Sequence, residues 1–558
     1  MRFYKHLLLW SSLGTLAVLG WAAFAENVLS DWRRAQTEAR SRLPAAEAAD
    51  FTVELRQIVI PELGITDRCT SCHLGMAPGE RGVAGDKLLA PHPPVVHDPG
   101  SFGCTTCHAG QGRATAAADA HGNVEHWPEP MLPRKYLYAS CGACHTHLAV
   151  PNMALLEQGR AALERNDCLA CHRVDGRGGT ARPGGAGGLE GLDLSRAGAR
   201  GVRADWLEHH RRQHAAATDG PWRSAFGELG ADDRQAIEAF LSSRVGAPGL
   251  VEAKALFHSL GCRGCHAVGG VGGADGPDLT RVAQKGPNER SFAGVRGEHT
   301  MANWFKEHFR APARVTPGSL MPELRLTEEQ IDELTFYLFS LRRTAVPDAF
   351  HPRDRVRAEK LGEREFAVDG ATLFGTFCAA CHGPDGQGMR YPGLPPFPAI
   401  ASPDFLELAS DELISETVKR GRTGRRMPGW GEQEGGLRPA EIEAVVRHVR
   451  LLGGGVQPVS DGRPRRWARG DALEGGRIYG AQCASCHGAH GQGAEGPMLA
   501  NAVLLRTASD SYLAGTIARG RRGTSMAGFA TPAPARPALS GGEIESVVTY
   551  LRTWEKSQ

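Results

Sequence analysis

One five-residue pattern, Cys-x-x-Cys-His, occurs seven times in this chain. Its residues are Cys69, Cys72 and His73; Cys104, Cys107 and His108; Cys141, Cys144 and His145; Cys168, Cys171 and His172; Cys262, Cys265 and His266; Cys378, Cys381 and His382; and Cys483, Cys486 and His487. Two thiols with two residues between them match the two vinyl groups of a haem, and the histidine that follows can bind the iron. A redox dithiol or half of a zinc site would need the cysteine pair but gives no reason for the histidine. The seven motifs use all 14 cysteines, so none remains for a disulfide, a zinc site or a thiol nucleophile. The expected cofactors are therefore seven covalently bound c-type haems, with the seven histidines as proximal iron ligands.

Each such iron has a second axial position to fill. Around the first three motifs the spare histidines are His92, His97, His121, His126 and His147, against two nearby methionines, Met76 and Met131. A lone histidine is usually an ordinary surface residue, but this concentration beside three expected irons points to bis-histidine ligation. His92, His97, His121 and His126 are the best candidates, and their pairing with individual irons is open.

The elements that position the other four motifs form an internal repeat of about a hundred residues from residue 151 onward. Each copy opens with a short helix running into its motif, at 154–168, 253–262, 370–378 and 475–483. Each closes with a helix whose apolar residues recur at i, i+3 and i+4, at 233–241, 327–341, 439–452 and 542–554. This order resembles the small monohaem cytochrome c domain, in four copies over 151–558. The resemblance implies a methionine distal ligand in the loop before the last helix, and Met321, Met427 and Met526 stand there. Met389 and Met498 come too soon after their motifs. It also implies a proline carbonyl behind the proximal histidine, for which Pro277 and Pro497 are candidates, with Pro395 or Pro396 in the third copy.

The copy at 151–247 departs from that pattern. No methionine lies between His172 and residue 300, and aligning the helix at Trp206 with that at Trp304 puts Arg223 where Met321 stands. Leu192 replaces Pro277. A histidine (His209, His210 or His214), a borrowed ligand such as Met153, or an open position must serve. His210 aligns with His308 in a copy that has its own methionine, which suggests a structural role and favours His214. His258, His299, His351, His448 and His490 are read as surface or packing residues.

A chain of 558 residues exceeds one core. The expected fold is mostly α, divided as 1–25 signal-anchor or transmembrane helix, 26–150 loop-rich trihaem module, and all-α cytochrome c-like domains at 151–247, 248–345, 346–455 and 456–558. Linkers are expected at 343–366 and 453–468, where Pro, Gly and charge cluster. Net charge is +2, which gives no argument for nucleic acid. Residues 7–25 are uncharged and follow Arg2 and Lys5, so the remainder is expected outside the cytoplasmic membrane. The run is near spanning length, with Trp10 and Trp21 toward its ends. A retained anchor on the periplasmic side is favoured over cleavage near Ala25.

The N-terminal segment, with D-R-C-T-S-C-H-L-G, F-G-C-T-T-C-H-A-G-Q-G-R-A-T and E-H-W-P-E-P-M-L-P before A-S-C-G-A-C-H, resembles membrane-anchored multihaem cytochromes that accompany cytochrome b-type quinol-oxidising complexes. That implies a cytochrome b-like donor and, as acceptor, a soluble cytochrome or a terminal oxidase or reductase. Methionine ligation raises haem potential relative to histidine, so electrons would enter near the bilayer and leave through the C-terminal domains. The expected role is an electron-transfer subunit with no catalytic residues. The alternative is a multihaem reductase or peroxidase with an open iron at His172. Flexible linkers would let the outer domains swing.

Overall fold

The computed structural model describes all residues except 1, 78–81, 94, 123, 125, 126, 128, 146, 147, 180–190, 201–205, 217–228, 343–345, 423–425, 535 and 558, with backbone alone at 200, 211, 214–216, 556 and 557. The chain divides into two compact units. The first comprises Met1–His145, Ala283–Trp304 and Phe339–Pro352, and the second Thr146–Val282, Phe305–Leu338 and Arg353–Gln558. Helices dominate; among the described residues the strands form three two-stranded antiparallel sheets.

The first unit begins with α1 (Arg2–Val28), a helix with no buried residue. It is long and apolar enough to cross a membrane and fits an anchor, with a mean hydropathy of 1.7 in its most apolar 18-residue window. α2 (Asp31–Arg42) buries Trp32, Gln36 and Ala39. Gln36 satisfies its buried amide by donating to the carbonyls of Glu54 and Ser71 at 2.7 and 3.0 Å and accepting from the Glu54 N–H at 2.9 Å. This ties α2 to the first motif. The apolar stretch before that motif folds as a hairpin, β1 (Ile58–Ile60) with β2 (Ile65–Asp67), paired Ile58 to Asp67 and Ile60 to Ile65. Asp67, 1% exposed, accepts from the Thr105 N–H and hydroxyl, both at 2.8 Å. One buried carboxylate thus joins the start of motif one to motif two. The three motifs themselves are short turns at 69–71, 105–108 and 134–143. The expectation of a loop-rich module is met.

In the second unit, the opening and closing helices of the copies cross. The first copy uses α3 (Met153–Arg165), α4 (Trp206–Ala216) and α5 (Ala231–Ser242). The second uses α6 (Leu250–Ser259) and α7 (Glu328–Ser340). The third uses α8 (Gly370–Phe377), α9 (Asp411–Arg420) and α10 (Pro439–Leu452). The fourth uses α11 (Ala472–Gln482), α12 (Asp510–Arg519) and α13 (Gly541–Thr553). Local chemistry starts several of them: Asn152, Asp369 and Asp471 accept from N–H groups of the first turn, and Ser540 with Glu543 forms a capping box. The closing helices bury one stripe, such as Ile544, Val547, Val548 and Leu551 of α13. At three crossings the helices meet through a glycine. A Cβ on Gly159 would lie 2.1 Å from the Ala236 oxygen, one on Gly370 2.4 Å from the Ala444 oxygen, and one on Gly475 1.9 Å from the Ser546 oxygen.

The expected jointed chain is not what forms. Phe366, inside the presumed linker 343–366, is 2% exposed, and its neighbours bridge copies. Glu365 pairs with buried Lys254 at 2.9 Å, Arg364 pairs with Glu441 at 2.7 Å, and Val150 pairs with Phe366 as a parallel bridge. At the second linker, Arg466 donates to the Ala508 and Leu505 carbonyls at 2.7 and 2.6 Å. One continuous core runs from Phe366 to Leu551 through both C-terminal copies. Pro, Gly and charge marked the ends of the repeats, but burial of the flanking side chains locks them.

Candidate haem centres

Every motif adopts the same turn. The N–H of each motif histidine donates to the carbonyl of the first motif cysteine at 2.9–3.0 Å, from His73 to Cys69 through His487 to Cys483. Positions i, i+3 and i+4 of one helical turn share a face, so both thiols and the ring point the same way. None of the 14 cysteines is paired in a disulfide. Burial pushes Cys262 and Cys378 up to about 12, and Cys141 and Cys483 up to about 11. Those four are protonated at neutral pH and are not nucleophilic thiolates.

In the trihaem module each motif histidine faces a second ring. Ring centroids are 6.3 Å apart for His73 and His121, 6.2 Å for His108 and His92, and 6.2 Å for His145 and His97. Two imidazole nitrogens each about 2 Å from one metal place their ring centroids roughly 6 Å apart. The fold thus brings each motif ring to one other ring, with the partner upstream in two cases and downstream in one. His126 and His147 lie outside the described residues. Burial, aided by the facing ring, holds His73 and His97 below the usual imidazole value, and His108 likewise by burial and the nearby His92 and His73. This favours the neutral imidazole that a metal requires.

In the four repeats a backbone carbonyl orients the motif ring. Nδ1 donates to Leu192 O for His172, Pro277 O for His266, Pro398 O for His382 and Pro497 O for His487, at 2.8–2.9 Å. That leaves Nε2 as the ligand nitrogen. Pro277 and Pro497 serve as expected, but Pro398 takes the role proposed for Pro395 or Pro396. Leu192 replaces proline without loss, because the acceptor is backbone. In three copies the residue before that carbonyl is a glycine pressed on the ring: a Cβ on Gly191 would sit 2.6 Å from His172, one on Gly276 2.4 Å from His266, and one on Gly496 2.9 Å from His487.

Met321, Met427 and Met526 are half-buried in loops before the closing helices. Two of these loops are closed alike, the Arg422 N–H donating to Met427 O at 2.8 Å and the Arg521 N–H to Met526 O at 2.9 Å. In the first copy the ring facing His172 is His210, at a centroid distance of 5.6 Å. The side chain of His214, favoured from the sequence, lies outside the described residues, as does Arg223.

The second and third copies meet at their motifs. A Cβ on Gly261 would lie 2.6 Å from the Ala380 nitrogen, and one on Gly264 3.1 Å from the Phe377 oxygen.

These residues fit haem and little else. No cluster of three or more metal-ligating His, Cys, Asp or Glu side chains occurs among the described residues. Two facing imidazoles offer only two ligands, so a planar tetradentate group must supply the rest. Burial lowers the pKa of Arg422, which has Tyr512 and the like-charged Arg521 beside it. Two guanidinium groups drawn partly out of water suit an anion such as a haem propionate.

The cytochrome c family model matches residues 156–244, 250–342, 367–452 and 472–555. The Cbb3-type cytochrome c oxidase subunit FixP of Bradyrhizobium sp. (strain ORS 278) is 33% identical over 167 residues, 28% of this chain and 53% of its own length. Subunit CcoP of Rhodobacter capsulatus is 31% identical over 196 residues, 33% of this chain and 61% of its own. The chain thus spans only about half to three-fifths of those relatives. A solved chain of the Kuenenia stuttgartiensis reducing HAO-like protein complex overlaps 33% of this chain and 94% of its own at 19% identity, with a TM-score of 0.24 that carries no argument. With four tandem matches over more than half of its residues, the chain belongs to the cytochrome c family.

Proposed function

We propose that this cytochrome c is a heptahaem electron-transfer subunit, anchored by α1 with its haem-binding part on the periplasmic side of the cytoplasmic membrane. The observation that carries the reading is the identical geometry of seven Cys-x-x-Cys-His turns. Bound haem supplies reversible one-electron chemistry. The chain does the rest: the cysteines fix position, the motif histidines bind from one side, and the second ligands tune potential. His121, His92 and His97 favour lower potentials in the N-terminal module, and Met321, Met427 and Met526 favour higher ones. That order supports electrons entering near α1 from a cytochrome b-like quinol-oxidising partner. They would leave through the C-terminal copies to a soluble cytochrome or a terminal oxidase or reductase. The similarity to subunits of cbb3-type oxidases supports an oxidase as acceptor. Backbone contact between Gly261 and Ala380 supports direct exchange between the second and third copies. The reductase alternative needs an open iron, and the ring of His210 opposite His172 argues against one there.

Pyridine haemochrome assay of the purified chain should count seven haems, and a potentiometric titration should resolve a lower and a higher group. Fewer haems, or one undivided range, would refute the reading.

A further inference from the structure

We infer that His210 is the second axial ligand at the Cys168-Cys171-His172 site, so that a bis-histidine centre stands in line with three methionine-ligated ones. The inference deepens the haem-carrier reading and rests on it. His172 donates through Nδ1 to Leu192 O at 2.9 Å, which aims its Nε2 away from that loop. The ring that lies across from it belongs to His210, 5.6 Å away between centroids. The three histidine pairs of the trihaem module are spaced at 6.2–6.3 Å. An iron between two imidazoles at about 2 Å each demands a gap of this size. Trp206, one turn earlier on α4, packs its ring 6.0 Å from that of His210 and braces it.

The neighbouring candidates are placed for other work. His209 is exposed, with its Nε2 hydrogen-bonded to the Gln213 amide at 3.1 Å. Its place on α4 is about 100° around the helix from His210. In the second copy the residue aligned with His210 is His308, whose Nδ1 lies 3.4 Å from the Thr316 hydroxyl, and that copy has Met321. The same helix position thus serves two ends: a polar tether where a methionine follows, a ligand where none does. Histidine ligation holds this site at a lower potential than its three successors. It also closes the one position at which a reductase or peroxidase chemistry had room.

The test uses the full-length protein carrying its haems, with His210→Ala, His210→Met and His214→Ala variants. Haem content is counted, and the ferric proteins are examined by EPR and near-infrared magnetic circular dichroism. Wild type should be wholly low-spin with seven haems. His210→Ala should keep seven haems but turn one high-spin, reverting to low-spin on adding imidazole. His210→Met should replace one bis-histidine charge-transfer band with a histidine–methionine band and raise one midpoint potential. His214→Ala should change neither spectrum. A high-spin haem in wild type, or one that arises in His214→Ala instead of His210→Ala, would overturn the assignment. Wild type lacking the haem at Cys168 and Cys171 by peptide mass would overturn the attachment reading beneath it.

Discussion

Gly261 of the second copy and Ala380 of the third meet backbone to backbone: a Cβ on Gly261 would lie 2.6 Å from the Ala380 nitrogen. Ala380 stands inside its Cys-x-x-Cys-His motif, and Gly261 stands directly before Cys262 of its own. Backbone contact through Gly261, at φ +71°, and Gly264 permits this approach.

Widening that contact should slow exchange between the two centres. Gly261→Val places a branched side chain against the Ala380 nitrogen in a left-handed conformation, at a cost of about 1–3 kcal/mol. Haem content should be unchanged, while flash-initiated electron equilibration between the His266 and His382 sites becomes slower. Unchanged equilibration would show that this contact is not the route.

Helix crossing in the fourth copy depends on Gly475, and Gly480 of the same helix provides the control. A Cβ at 475 would meet the Ser546 oxygen at 1.9 Å, whereas nothing lies within 4 Å of one at 480. Gly475→Ala should lose about 1–3 kcal/mol. Gly480→Ala should gain up to about 1 kcal/mol from helix propensity alone. Denaturant unfolding of the two variants should move in opposite directions.

The Lys254–Glu365 pair, 2.9 Å long with side chains 5% and 18% exposed, locks the second copy to the segment before the third. Removing one partner strands the other, so Glu365→Gln should cost about 3–5 kcal/mol. Lys254→Met combined with Glu365→Leu should recover most of that. A double variant as unstable as the single one would contradict this account.

His258 is fully buried on α6, with neither ring nitrogen hydrogen-bonded among the described residues. Burial, then the charges of Arg263 and Lys254, hold it well below the usual value of 6.5. The unfolded chain therefore binds a proton below pH 6.5 that the folded chain refuses. Stability from this group is complete above that pH and is lost as pH falls, by up to about 1.4 kcal/mol per pH unit. His258→Phe should flatten the decline in unfolding free energy between pH 6.5 and 5. An unaltered slope would assign the acid sensitivity to other groups.

Local chemistry was legible in the residues. A motif that places two thiols and an imidazole on one turn needs only five consecutive positions, so all seven Cys-x-x-Cys-His turns and the repeat of opening and closing helices could be read from spacing. The loop methionines and two of the three prolines followed from resemblance to the monohaem domain. The partner rings could not be read, because His121 lies downstream of His73 whereas His92 and His97 lie upstream of His108 and His145. No spacing rule connects such pairs; the fold of the module does. Pro398 was missed because a carbonyl orients His382 regardless of side chain, which leaves no residue-type signal. That the His210 ring faces His172 could not be read from its aligned counterpart, because His308 has a different neighbour in Thr316. The linkers at 343–366 and 453–468 looked flexible by composition, yet burial of Phe366 and pairing of Glu365 and Arg466 depend on partners more than forty residues away in the chain. Spacing within one turn decides how the two thiols and the imidazole of a motif are presented; long-range packing decides which ring faces which motif histidine and which copies pack together.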